Sequence, residues 1–112
     1  DALPIMKTSA GALNYLPVCR EKSILSAVRF LKDNGYQIVA ATEKGARDYT
    51  AGDYTGPVGL VMGAEDIGIS PEILRISDTL AAIPQRGNIG SLNVSVAAGV
   101  MIYEVVRQRM AH

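Results

Sequence analysis

Apolar residues fall in short blocks separated by polar, glycine-marked stretches, and their spacing predicts helices alternating with strands. Ile24, Leu25, Val28 and Leu31 recur at helical spacing with Arg29 and Lys32 between them; Ser23 is placed to cap this helix and Asn34-Gly35 to stop it. Tyr36 to Thr42 is apolar without strict alternation, the pattern of a strand covered on both faces. Pro57 to Gly63 is apolar throughout and reads as a second buried strand. Ser70 is placed to cap a short helix from Pro71 to Ile76. Thr79 to Ile83 is a third strand, stopped at Pro84. A last helix is expected from about Leu92 to Arg109, with Val96, Val100, Tyr103 and Val106 in one stripe. Ala97, Ala98 and Gly99 form a small-residue patch suited either to the sheet or to a seam between subunits. Arg107 and Arg109 suit the negative end of that helix and need no other role.

The beginning of the chain is less regular. Ala2 to Leu13 is small and apolar, with Pro4 tolerable in a first turn and Gly11 near a helix end, and a short helix is expected. Tyr15 to Cys19 reads as a brief strand, and Pro17 argues for an edge or an early position in the sheet. Glu43 to Gly56 reads as a loop with one helical turn, in which Tyr49 and Tyr54 either close over the sheet or offer a face to a base. No internal repeat is read. Helix followed by buried strand, recurring, predicts an α/β fold: a mostly parallel sheet with helices on both faces.

Composition narrows the function classes. At 112 residues and 48% hydrophobic content, one domain with a real core is expected. No apolar run approaches the roughly 20 residues of a membrane span, so neither a membrane partner nor a signal peptide is expected and a cytoplasmic protein is. Cys19 is the only cysteine and His112 the only histidine, leaving no metal-ligand cluster and no histidine-based acid–base pair. The formal charge is zero, so any contact with nucleic acid must be local or come from another segment. The chain opens at Asp1 and goes at once into Ala2-Leu3-Pro4-Ile5, which reads as the inside of a fold, and a fragment is expected.

The candidate chemistry lies where strands give way to loops. Thr79 to Ile83 passes through Pro84, Gly87 and Gly90 into a helix whose first turn carries Ser91, Asn93 and Ser95. Unpaired N–H groups at a helix start, with glycines that let the backbone approach, can hold a ligand; equally, Ser91 caps the helix and the glycines shape the turn. Glu65 sits just past another strand end, where ligand sites of open sheets collect, or is a solvated turn residue. Ile69-Ser70 stands where a phosphate loop after Gly63 needs lysine and serine or threonine, so that motif is rejected. No Gly-x-Gly-x-x-Gly follows a strand either.

Two stretches, Leu60-Val61-Met62-Gly63-Ala64-Glu65-Asp66-Ile67-Gly68 and Ile83-Pro84 followed by Gly90-Ser91-Leu92-Asn93-Val94-Ser95-Val96-Ala97, resemble the second and third motifs of the TrmH/SpoU family. These are RNA ribose 2′-O-methyltransferases of the SPOUT superfamily. Lys7 to Leu13 with Leu16-Pro17-Val18 is similar to the preceding segment, especially in the branch that methylates guanosine in ribosomal RNA. The resemblance implies a C-terminal trefoil knot, a rare exception to the rule against threaded chains. It also implies a pocket for S-adenosylmethionine built by the knot, and a homodimer with the site near its interface. Carried onto matching positions, Gly63, Ile83 and Leu92 would make main-chain contacts to the cofactor and Thr42 would line the same pocket. Glu65, Ser91 and Asn93 would be the catalytic polar residues beside the methyl donor and the target ribose. The family's first motif, an Asn-x-Gly segment leading to an arginine that activates the hydroxyl, belongs several dozen residues before Lys7 and is not in this sequence. Arg86 does not replace it and is at most an RNA-phosphate contact.

Methyl transfer from a sulfonium to a hydroxyl needs alignment and removal of a proton, and neither metal nor covalent intermediate. The composition suits it. Two other readings stand beside the enzyme: a non-catalytic α/β module that binds a nucleotide or anion at the Ser91 helix start, and a dimerisation domain built on the last helix.

Overall fold

The computed structural model describes residues 5–10, 12–15, 21–43, 47–63, 68–84 and 94–111. The apolar blocks become strands β1 (Ile5–Ala10), β2 (Ala12–Tyr15), β3 (Gln37–Ala41), β5 (Val58–Met62) and β6 (Thr79–Ala82), and the charged pair Arg47–Asp48 forms a short β4. The amphipathic segments become helices α1 (Glu21–Asp33), α2 (Pro71–Ile76) and α3 (Val94–Met110). One sheet runs in the order β2-β1-β5-β3-β6-β4. Three of its five pairings are parallel, those of β3 with β5, β3 with β6 and β4 with β6; β1 runs antiparallel to both β2 and β5. The mostly parallel α/β expectation therefore holds.

Both faces of the central strands are covered, which is why their sequences do not alternate between apolar and polar. The pleat still sorts them. Ile38 and Ala40 of β3 and Val61 of β5 pack with Ile24, Val28 and Leu31 of α1 and with Ile69 and Ile73 at α2. Val39, Val58, Leu60, Met62 and Ala81 face the other way, onto Ala98, Met101 and Val105 of α3 and onto Tyr54.

Local chemistry sets the element ends. Gly35, at φ +84°, turns the chain out of α1 in a conformation that side chains disfavour. Ser70 caps α2 as expected, its hydroxyl accepting from the Ile73 N–H at 3.3 Å. The start of β6 is pinned to β3 by Asp78, whose carboxylate accepts from the Ile38 N–H at 2.7 Å while its own N–H donates to the Ile38 carbonyl at 2.8 Å. Lys32 joins the same point, donating to the Ile76 carbonyl at 2.7 Å and pairing with Asp78 at 3.0 Å.

Several expectations are corrected. Of the helix expected over Ala2 to Leu13, residues 5–10 and 12–13 are instead strand, in β1 and β2, and residues 2–4 and 11 lie outside the described ones; small residues suit either period, and pairing with β5 decides for strand because it covers an open sheet edge. Of the strand expected at Tyr15 to Cys19, Tyr15 ends β2, an edge strand, and residues 16–20 lie outside the described ones. Helix α1 begins at Glu21, so Ser23 is inside it and not its cap. The 43–56 segment holds a two-residue strand, β4, and a 3-10 turn, Tyr49–Ala51. Within it Asp-Tyr-Thr occurs twice, and each aspartate accepts from the N–H and hydroxyl of its own threonine, Asp48 with Thr50 and Asp53 with Thr55. A tripeptide is too short a unit to register as a repeat in the sequence.

Candidate functional site

Parallel strands put their C-terminal ends on one edge of the sheet, where the loops that follow can converge. Ala41 is level with Met62 on one side and with Ala81 on the other, so β5, β3 and β6 finish together. The next residues out are Gly63, Thr42 and, beyond Ala82, Ile83. Thr42 is held in place by its N–H, which donates to the Ala81 carbonyl at 2.9 Å. At about 4.8 Å between neighbouring strands, Gly63 and Ile83 flank Thr42 at about 10 Å from each other.

All three are partly exposed, just past the ends of their strands, so each leaves some surface to a ligand at this edge. Ile83 also packs against the α3-side core. Gly63 has a second constraint. A Cβ on it would lie 2.5 Å from the Gly68 carbonyl carbon and 2.7 Å from the Ile69 nitrogen, so the returning loop backbone occupies that space. Gly68 makes the return at φ +72°. Glu65, Ser91, Leu92 and Asn93, together with Arg86, lie outside the described residues. Helix α3 is described from Val94, two residues inside the expected start.

Of the two uses open to the small-residue patch of α3, packing on the sheet holds for Ala98. Ala98, Met101 and Val105 carry it on the sheet, whereas Val96 is 53% exposed, Tyr103 71% and Met110 80%. Those three recur every seven residues, and Val100 and Val106 lie half-buried along the same stripe. An apolar face of this kind is open on the outer side of the helix. Among the described residues no helix is long and apolar enough to cross a membrane, and no three histidine, cysteine or acidic side chains gather to hold a metal.

The far end of α3 carries a buried polar assembly that sequence reasoning missed. Glu104 is 3% exposed and accepts two bonds from Arg107, at 2.8 Å each, and a third from Gln108 at 2.8 Å. Arg107 and then Gln108 hold this carboxyl below its ordinary range, against the opposing effect of burial. Gln108 also donates to the Gly52 carbonyl at 2.9 Å and accepts from the Tyr54 N–H at 2.7 Å. Arg109 donates to the Gly56 carbonyl at 2.6 Å. Neither arginine is merely a counter-charge to the helix dipole, as expected; both belong to a clasp between α3 and the chain entering β5. Glu104 with residues three and four further on was the available signal. Tyr54 completes the clasp: fully buried, its phenol donates to the Tyr49 carbonyl at 2.7 Å. Burial, with the Glu104 charge, raises its pKa, so it remains a donor. Of the two tyrosine readings, covering the sheet holds for Tyr54.

The SpoU rRNA Methylase family model matches residues 3–103. A tRNA (guanosine(18)-2′-O)-methyltransferase of Thermus thermophilus is 40% identical over 105 residues, covering 93% of this chain and 54% of that protein. A 23S rRNA (guanosine-2′-O-)-methyltransferase, RlmB, of Ralstonia nicotianae is 36% identical over 105 residues, covering 94% of this chain and 42% of that one. The solved structure of an AdoMet-bound rRNA methyltransferase from Sinorhizobium meliloti superposes with a TM-score of 0.70 at 39% identity, over 74% of this chain and 32% of that chain. The chain thus spans about half the length of the curated relatives it matches.

Proposed function

The chain belongs to the SpoU rRNA methylase family, and we propose that it is the C-terminal portion of a catalytic domain that methylates a ribose 2′-hydroxyl of RNA, with S-adenosylmethionine as donor. The observation that carries this reading is the shared edge at which β5, β3 and β6 end, with Gly63, Thr42 and Ile83 partly exposed side by side. Partly exposed backbone next to an apolar side chain suits a flat, mostly apolar nucleoside with a few polar edges.

In this reading Thr42, Gly63, Ile83 and Leu92 bind the donor, which supplies an electrophilic methyl group on a sulfonium and leaves as the neutral thioether. Glu65, Ser91 and Asn93 position the ribose so that its hydroxyl oxygen stands in line with the methyl carbon; the hydroxyl proton passes to a base as the new C–O bond forms. The arginine that assists this step comes from the family's first motif, which these 112 residues do not include. The trefoil knot that the family resemblance implies for the C-terminal part would form the pocket for this donor. Two copies pair through the open face of α3, around Val96, Tyr103 and Met110, as a homodimer. Guanosine in ribosomal RNA is the first substrate to test, with transfer RNA beside it, since the relatives named above act on one or the other. Such a substrate places the enzyme in the cytoplasm.

The test uses the full-length protein. Calorimetry should detect binding of S-adenosylhomocysteine, and labelled donor with ribosomal or transfer RNA should leave label on ribose. Asn93→Ala should cut the transfer rate by at least about tenfold, about 1.4 kcal/mol of transition-state stabilisation. Cofactor binding without label on any RNA would leave a binding module; a dimer that binds neither would leave a dimerisation domain.

A further inference from the structure

The candidate edge does not end at β6. Strand β4 lies beyond it in parallel, with Arg47 level with Ala81 and Asp48 level with Ala82. Residues level in parallel strands point to the same face, so Arg47 shares the α3 face with Ala81, and Ile83 lies on that face too. The burial of Tyr54 in the same layer agrees, since the Arg47 charge acts on its phenol. Arg47 is exposed.

The other basic side chains described are engaged or elsewhere. Lys32 pairs with Asp78, Arg107 with Glu104, and Arg109 holds the Gly56 carbonyl just before β5. Arg75 ends α2 on the side where β6 begins, and Arg29 lies on the outer face of α1. Asp48, the carboxylate next to Arg47, is turned to Thr50. Among the described residues Arg47 therefore has no ion pair, and it stands one strand beyond those that carry the proposed donor contacts.

We propose that Arg47 binds a backbone phosphate of the RNA substrate, placing the strand across the C-terminal edge of the sheet. This rests on the function proposed above. A polynucleotide must extend past the donor pocket, and β4 is the next surface it meets on this side. With a formal charge of zero over the chain, attraction has to come from single well-placed cations. A guanidinium is suited to hold a phosphate through two parallel bonds.

The experiment compares full-length wild type with Arg47→Gln and Arg47→Lys, measuring KM for RNA between about 50 and 200 mM salt, and S-adenosylhomocysteine affinity by calorimetry. Arg47→Gln should raise the RNA KM about three- to tenfold at the lower salt and reduce the slope of log affinity against log salt by about one. Arg47→Lys should keep the slope, and cofactor affinity should be that of wild type in both. An unchanged slope and KM in Arg47→Gln overturns the proposal. So does a parallel loss of cofactor affinity, which would put the guanidinium on the donor's carboxylate. If wild type transfers no methyl group to RNA, the function above falls and this inference with it; if wild type transfers and Arg47→Gln behaves identically, only this inference falls.

Discussion

At Gly63 a single methyl group meets main chain and not a side chain that could turn away. A Cβ there would stand 2.5 Å from the Gly68 carbonyl carbon, so Gly63→Ala must push the Gly68-Ile69 backbone outward. Denaturant titration should show a loss of about 1–3 kcal/mol, the usual cost of overpacking, with a parallel loss of donor affinity in the full-length protein. Glu104 gives a pH signature. Its carboxyl is held below the ordinary range in the folded state, so the stabilisation is present above the unfolded value and disappears as acid protonates the folded group. Stability should therefore fall as pH drops below about 4.5, and Glu104→Gln should flatten that fall in a series of urea midpoints. Neither constraint is fully legible beforehand: the spacing of Glu104 to Arg107 and Gln108 signals the contacts but not the burial. A glycine after a strand announces a turn, not what fills its missing side chain, and Glu104 looks like a solvated helix residue until Gly52 and Tyr54 come against the same turn.

Elements were legible in proportion to how much of their stability is local. Helix α2 begins at Pro71 because Ser70 satisfies the Ile73 N–H, and that chemistry is written in adjacent residues. Ser70→Ala should cost about 1 kcal/mol in thermal or denaturant unfolding; no loss would mean that the cap contributes nothing. The buried strands β3 and β5 were legible because four or five apolar residues in a row between glycines leave few alternatives. Strands β1 and β2 were not, since their identity depends on β5, about fifty residues away, and β4 was missed because two residues carry no period. For α3 the period was legible, but which of the two uses of the Ala97-Ala98-Gly99 patch applies was not, because that depends on how the helix lies on the sheet. Ala98, Met101 and Val105 face the sheet, while Gly99, Val96 and Tyr103 are turned out.

The open side of α3 bears on the whole molecule. An exposed stripe of Val96, Tyr103 and Met110 is a cost to a monomer in water and a contact to a dimer. Tyr103→Asp should weaken self-association of the full-length protein by at least about tenfold, about 1.4 kcal/mol, in sedimentation equilibrium; an unchanged constant would remove this face from the interface. At this scale the family motifs did most of the work, because Gly63 and Ile83 are twenty positions apart in sequence and only the parallel register brings them to one edge.

The strand order has a consequence for how the protein is made. Among the described strands β4 has β6 as its one sheet neighbour, and β6 leaves the ribosome after the other five. While residues 79–82 are still in the exit tunnel, β3 lacks a flank and the Arg47 segment has nothing to bond to. Closure then waits for a late arrival that must enter a slot between two earlier pieces, a route that slows assembly and favours chaperone capture of nascent chains truncated before Thr79.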